Sequence, residues 1–132
     1  MNDLSDLLLG RQQPGVHQLE TDLATGEIAT AVRDAGWSFG HLNGQTTAPD
    51  KGAVLRELGE ALDFPEHYGV NFDALHDCLR EVGDPGARGL VLLWDGWQAF
   101  AEADRRSFDV VVEILTERAE SGASPFAVLL RT

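Results

Sequence analysis

The chain has 132 residues, 43% of them hydrophobic, with 22 acidic against 10 basic side chains and a formal net charge of −12. That length suits one domain and that apolar content supports a core without staples, while a single cysteine, Cys78, excludes an intrachain disulfide and a multi-cysteine metal cluster. So acidic a chain is unsuited to binding nucleic acid or an anionic membrane directly, and suits a basic partner.

Residues 1–14 are expected as an N-terminal tail with no more than one helical turn around Leu4 to Leu9. They carry Asp3 and Asp6 where a secretory signal carries positive charge, so the expected location is cytoplasmic. The remainder, 15–132, is expected as a single domain, with 15–36 a strand–helix extension and 37–132 the core. Gly15 to Glu20 alternates apolar and polar, as a short strand does. Thr25 is placed to cap a helix whose Ile28, Ala31, Val32 and Ala35 recur at helical spacing, with Gly36 ending it. Trp37 to Asn43 reads as a strand. Asp50 caps a second helix that buries Val54, Leu55, Leu58, Ala61 and Leu62, and Asp63 to Val70 is a loop with Pro65 and Gly69.

Asn71 caps a third helix running to about Val82, with Phe72, Leu75, Leu79 and Val82 on one face. After the break at Gly83 to Gly89, Leu90 to Asp95 is apolar on both alternating sets, as a strand covered on both faces must be. Trp97 to Ala103 reads as a short helix. Asp104 caps a long one burying Phe108, Val111, Val112, Leu115 and Ala119, and Phe126 to Leu130 is the last strand. The longest apolar runs, Leu90 to Trp94 and Phe126 to Leu130, fall far short of the ~20 residues that span a bilayer. Strands separated by helical crossovers make the fold class α/β, with a parallel sheet.

Charge is concentrated in one stretch. Between Glu57 and Asp84 stand eight acids against one base, Arg80. Asp73 and Asp77 are four residues apart and stack on one helix face with His76 and Arg80, while Phe72, Leu75 and Leu79 point away. Two like charges at that spacing cost a helix roughly 0.2–0.5 kcal/mol, of which Asp73 recovers part from the helix dipole. A surface awaiting cations has this character, and so does a solvated acidic face. Two carboxylates beside histidines also raise acid–base or hard-metal chemistry. Adjacent turns of one helix, however, give no opposing wall to hold a substrate. His67, His76 and Cys78 lack a zinc-ligand spacing, and no nucleophile elbow, phosphate loop or dinucleotide fingerprint occurs. No catalysis, cofactor or metal is therefore expected.

The run from Phe64 to Leu79, FPEHYGVNFDALHDCL, resembles the signature of the barstar family, small intracellular inhibitors of secreted guanyl-specific ribonucleases. Pro65-Glu66, Tyr68-Gly69, Asn71, Asp73-Ala74-Leu75 and Asp77-Cys78-Leu79 carry the match, and Leu90 to Trp94 stands at the family's middle strand. The resemblance implies a barstar-like α/β fold: a small parallel sheet of three core strands with helical crossovers, to which residues 1–36 add a strand and a helix at the sheet edge.

It also implies a monomer whose acidic helix and preceding loop plug the basic active site of an extracellular, barnase-like or RNase Sa-like ribonuclease. The carboxylates then stand in for substrate phosphate. By position, Asp77 matches the central phosphate-mimicking carboxylate, Asp73 the acidic contact one turn earlier, Gly69 the loop glycine allowing close backbone approach, and Glu117 an acidic rim contact.

The chain departs from the family at His67 and His76, which stand where aromatic contacts are usual, at Val70, which replaces an acid, and at Ser124, which replaces a cysteine. Histidine offers less stacking area than tyrosine or tryptophan, so the partner is expected to differ from the family's usual one. Protonating His67 and His76 is expected to weaken its binding. Two other readings remain: an immunity or regulatory module for another basic protein, and a metal-dependent hydrolase using Asp73, His76 and Asp77.

Overall fold

A computed structural model describes residues 4–122 and 124–132, so the first three residues of the expected tail lie outside the described residues. In chain order the elements are α1 (Leu4–Leu8), β1 (Val16–Gln18), α2 (Thr25–Asp34), β2 (Ser38–Asn43), α3 (Lys51–Ala61), α4 (Phe72–Arg80), β3 (Leu90–Asp95), α5 (Gln98–Ala103), α6 (Arg105–Ser121) and β4 (Phe126–Arg131). The strands form one sheet in the order β1-β4-β3-β2, with every neighbouring pair parallel. The class is α/β with helical crossovers, as expected. The three core strands are joined at the edge, as expected, by a fourth from the N-terminal extension: β1 hydrogen-bonds alongside β4, setting Val16 opposite Val128.

Short polar side chains start three of the helices where their spacing predicts. Asp50 accepts from Ala53 N–H at 2.9 Å, Asn71 from Ala74 N–H at 2.7 Å and Asp104 from Ser107 N–H at 3.1 Å. Each satisfies a backbone donor that the first helical turn cannot, and removing a cap such as Asn71 costs ~1 kcal/mol.

The expected cap at Thr25 is corrected. Ala24 holds the cap position, and its N–H donates to Glu27 Oε1 at 3.0 Å. The Thr25 hydroxyl is drawn away into a polar cluster with Arg131 and Asp95. Gly36, at φ +90°, ends α2 in the left-handed conformation expected of that position.

Alternation along the strands divides the core in two. Leu42, Leu92, Trp94 and Val128 face the helices α3 to α6, with Leu55, Leu58, Leu75 and Leu115 packed onto them. Val91, Leu93, Ala127 and Leu129 face the other way, against Ile28 and Val32 of α2 and Leu4, Leu7 and Leu8 of α1. All six residues of β3 are buried, which is why that strand is apolar on both sets.

The N-terminal segment therefore does more than extend the sheet edge. β1 lies at the edge, while α1 and α2 cover the second face. Residues 4–8, expected as a turn within a tail, bury three leucines there because a two-sided apolar sheet needs a second cover. Among the described residues no helix is long and apolar enough to cross a membrane.

Candidate partner-binding site

The loop from Asp63 to Val70 is fixed before α4 begins. Tyr68 lays its ring over Gly59, where a side-chain carbon would come within 2.8 Å of it, and against the edge of Phe64 at a centroid distance of 5.0 Å. Its hydroxyl donates to the Leu55 carbonyl at 3.0 Å. Burial, with a contribution from the Cys78 thiolate, pushes the Tyr68 phenol from 10.0 up to about 12. Gly69 then passes close to α4: a side chain there would press on Asn71 Nδ2 at 3.3 Å and the Ala74 methyl at 3.5 Å. Val70 sits at φ +51°, a strained setting for a β-branched residue, immediately before the Asn71 cap.

α4 buries Leu75 and Leu79 and exposes Asp73, His76, Asp77 and Arg80. Arg118 of α6 holds it in place. This buried guanidinium donates to the carbonyls of Leu79 (2.8 Å), Val82 (3.1 Å) and Ser124 (3.0 Å) and to the Ser124 hydroxyl (3.1 Å). A cation at the carboxyl end of a helix satisfies orphan carbonyls and opposes the dipole's negative end. Ser124, the departure from the family's cysteine, serves here as a partner of Arg118. Neither role was legible beforehand, since α4 and α6 meet only in the fold.

Four of the six candidate residues meet in one groove. His67 and Gly69 of the loop and Asp73 and Asp77 of α4 line a cleft of about 1100 Å³ that continues past Glu81 to Asp84. Phe64, Tyr68, Val82 and Leu90 supply apolar lining. The other two candidates stand outside the cleft as a pair, His76 Nε2 lying 3.5 Å from Glu117 Oε2 across the α4–α6 seam. Arg80 Nη2 donates to Asp77 Oδ1 at 2.6 Å, while Asp73 makes no ion pair among the described residues. The participation of Glu81 and Asp84 was open to inference, because Glu81 lies four residues beyond Asp77 and continues the acidic row. Among the described residues no group of three or more His, Cys, Asp or Glu side chains is placed to hold a metal ion.

A second polar cluster at the carboxyl ends of the strands was not anticipated. Arg131 donates through Nε to Asp95 Oδ1 (2.5 Å) and through Nη2 to Oδ2 (3.0 Å), and His41 Nε2 approaches that same Oδ2 at 2.8 Å. Arg131 also donates to the Leu23 carbonyl (2.6 Å) and the Thr25 hydroxyl (3.1 Å), tying the segment before α2 to the sheet. Burial alone would raise the Asp95 carboxyl, but hydrogen bonds from Arg131 and His41 and their positive charge outweigh it and hold it below its ordinary value. The signal was present as two charges ending otherwise apolar strands, and the register that sets Asp95 opposite Arg131 joins them.

A family model described as Barstar (barnase inhibitor) matches residues 37–131, the sheet core and its four helices on the groove side. No curated protein matches the chain.

Proposed function

The chain belongs to the barstar family, and from that premise we propose that it inhibits a basic extracellular ribonuclease by seating the acidic face of α4 in the enzyme's phosphate-binding cleft. The observation that carries this reading is the convergence of Asp73 and Asp77 with the Gly69 loop in a single acidic groove. In this reading Asp77 and Asp73 take the places of RNA phosphates. His67 and Gly69 supply loop contacts, and His76 with Glu117 forms the rim. The protein acts as a monomer inside its cell, with no catalytic step and no cofactor.

Two features support it physically. The helix that bears the carboxylates is anchored at both ends, by the Asn71 cap and by Arg118, so little freedom is lost when a partner docks. The acids that surround them form a field of one sign, which speeds encounter with a basic surface.

The test is titration of purified guanyl-specific ribonucleases with this protein at low and high salt. The expected result is stoichiometric inhibition that weakens as salt rises. Absence of inhibition across several such enzymes would retire the ribonuclease as the partner.

A further inference from the structure

We infer that Val70 is a positioning residue for the groove: left-handed in its backbone and anchored in the core by its side chain, it fixes the loop from His67 to Gly69 in the shape a partner meets. This rests on the reading of that loop as a partner contact. It goes beyond that reading in naming the residue that sets the loop's shape.

Among the described residues two other than glycine have a positive φ, and they bracket the loop, Asp63 at +57° and Val70 at +51°. Asp63 follows the last residue of α3's cap, where the Phe64 N–H donates to the Gly59 carbonyl at 2.9 Å. Such a helix end calls for a left-handed residue, and an aspartate tolerates that backbone. No helix end accounts for Val70, which precedes the Asn71 cap of α4, and a β-branched side chain is poorly suited to that conformation.

What the conformation achieves shows on either side of it. His67, Gly69 and Asn71 line the groove, while Val70 packs half-buried against the core behind them. Across the reversal the Gly69 carbonyl accepts from Asn71 Nδ2 at 3.3 Å, so one side chain caps α4 through its oxygen and ties the loop through its nitrogen. The strained backbone costs the fold about as much as a half-buried valine returns, so folding gains little from this residue. The gain falls to binding, because a loop already in place loses less freedom when a partner docks.

The test compares the wild type with Val70→Gly, Val70→Asn and Val70→Ile. Glycine and asparagine accept the left-handed backbone and give up the anchor, whereas isoleucine keeps both strain and anchor. Urea unfolding reads stability, NMR order parameters of the 67–69 amides read the loop, and titration of guanyl-specific ribonucleases reads recognition. The glycine and asparagine variants should unfold at the urea concentration of the wild type or above it. Their loop order parameters should nevertheless fall from about 0.85 to below about 0.6, and they should bind about fivefold more weakly. The isoleucine variant should match the wild type in all three. Binding that falls only in step with stability would overturn the inference, as would a loop that stays rigid without the valine. If the wild type inhibits no ribonuclease, that partner is retired, and the order parameters set against stability decide Val70's role by themselves.

Discussion

Arg80 meets Asp77 at 2.6 Å on the outer face of α4, and Arg131 meets Asp95 at 2.5 Å where β3 and β4 end. The charges and the distances are nearly the same. The side chains of the first pair are 68% and 66% exposed, and those of the second 14% and 12%. Water screens the first pair, so it contributes little to stability and opens readily to another cation. The second is largely shielded from water and shares its donors with the Leu23 carbonyl and the Thr25 hydroxyl, so breaking it strands charge in the interior. In the proposed function one chemical pair would thus serve recognition at one place, while the other serves architecture, and exposure decides which.

The largest effect expected from this contrast is on folding. Arg131→Ala should destabilise the protein by about 3–5 kcal/mol in urea unfolding, because it leaves the buried Asp95 carboxylate with only His41 and the Thr25 hydroxyl as partners. Replacing Asp95 and Arg131 together by apolar residues should recover much of that loss. The pH dependence has a definite sign. Arg131 and His41 hold the folded Asp95 carboxyl below its ordinary value, so its contribution is fully present above the unfolded aspartate value of ~3.9 and is lost as pH falls through the lower folded value. In Arg131→Ala the carboxylate is no longer favoured, and the gap from wild type should narrow in acid. A gap that stayed constant from neutral pH to about pH 3 would mean that Asp95 does not store this energy.

On the exposed side the expected effect moves from folding to binding. Asp77→Ala should leave the unfolding free energy within about 0.5 kcal/mol of wild type and cost about 2 kcal/mol or more in ribonuclease binding, chiefly through faster dissociation. Glu60→Ala, an exposed acid on α3 away from the groove lining, should mainly slow association, and by a small factor. Equal losses from the two would mean that the groove has no energetic centre and that the acids act only as a field.

The residues that were legible share one property: their partners are close in sequence. Asp50, Asn71 and Asp104 cap helices across three residues, and Asp73 and Asp77 stack across four, so spacing alone reveals them. Thr25 had the same local credentials as a cap and lost its hydroxyl to Arg131, 106 residues away. The Asp95–Arg131 pair spans 36 residues and exists only once the parallel register is set. Leu4, Leu7 and Leu8 lie on one helical face, but five residues are too few for periodicity to separate a packed helix from a frayed one. What made them fold was the uncovered side of a sheet whose apolar character was visible in Leu90 to Trp94 all along.

Tyr68 lies between the two extremes, half-buried in the floor of the groove. As the chain's one tyrosine it can be titrated without interference, and its phenol should ionise at about 12 rather than 10.0. The neutral form is the one the fold favours. Stability should therefore be intact below the unfolded value and decline as pH rises from there through the folded one. An absorbance midpoint near 10.0 would mean that the groove floor is as wet as its rim, and the boundary between the two regimes would have to be drawn deeper.

The smallest effect tests the comparison at its weak end. His76 and Glu117 approach at 3.5 Å with side chains 48% and 56% exposed, and they form an ion pair only when His76 is protonated. A double-mutant cycle with His76→Gln and Glu117→Gln should give a coupling under about 1 kcal/mol. It should be reduced by salt. A coupling as large as that of Arg131 with Asp95 would break the argument from exposure, because the pair is open to water and longer by a full ångström.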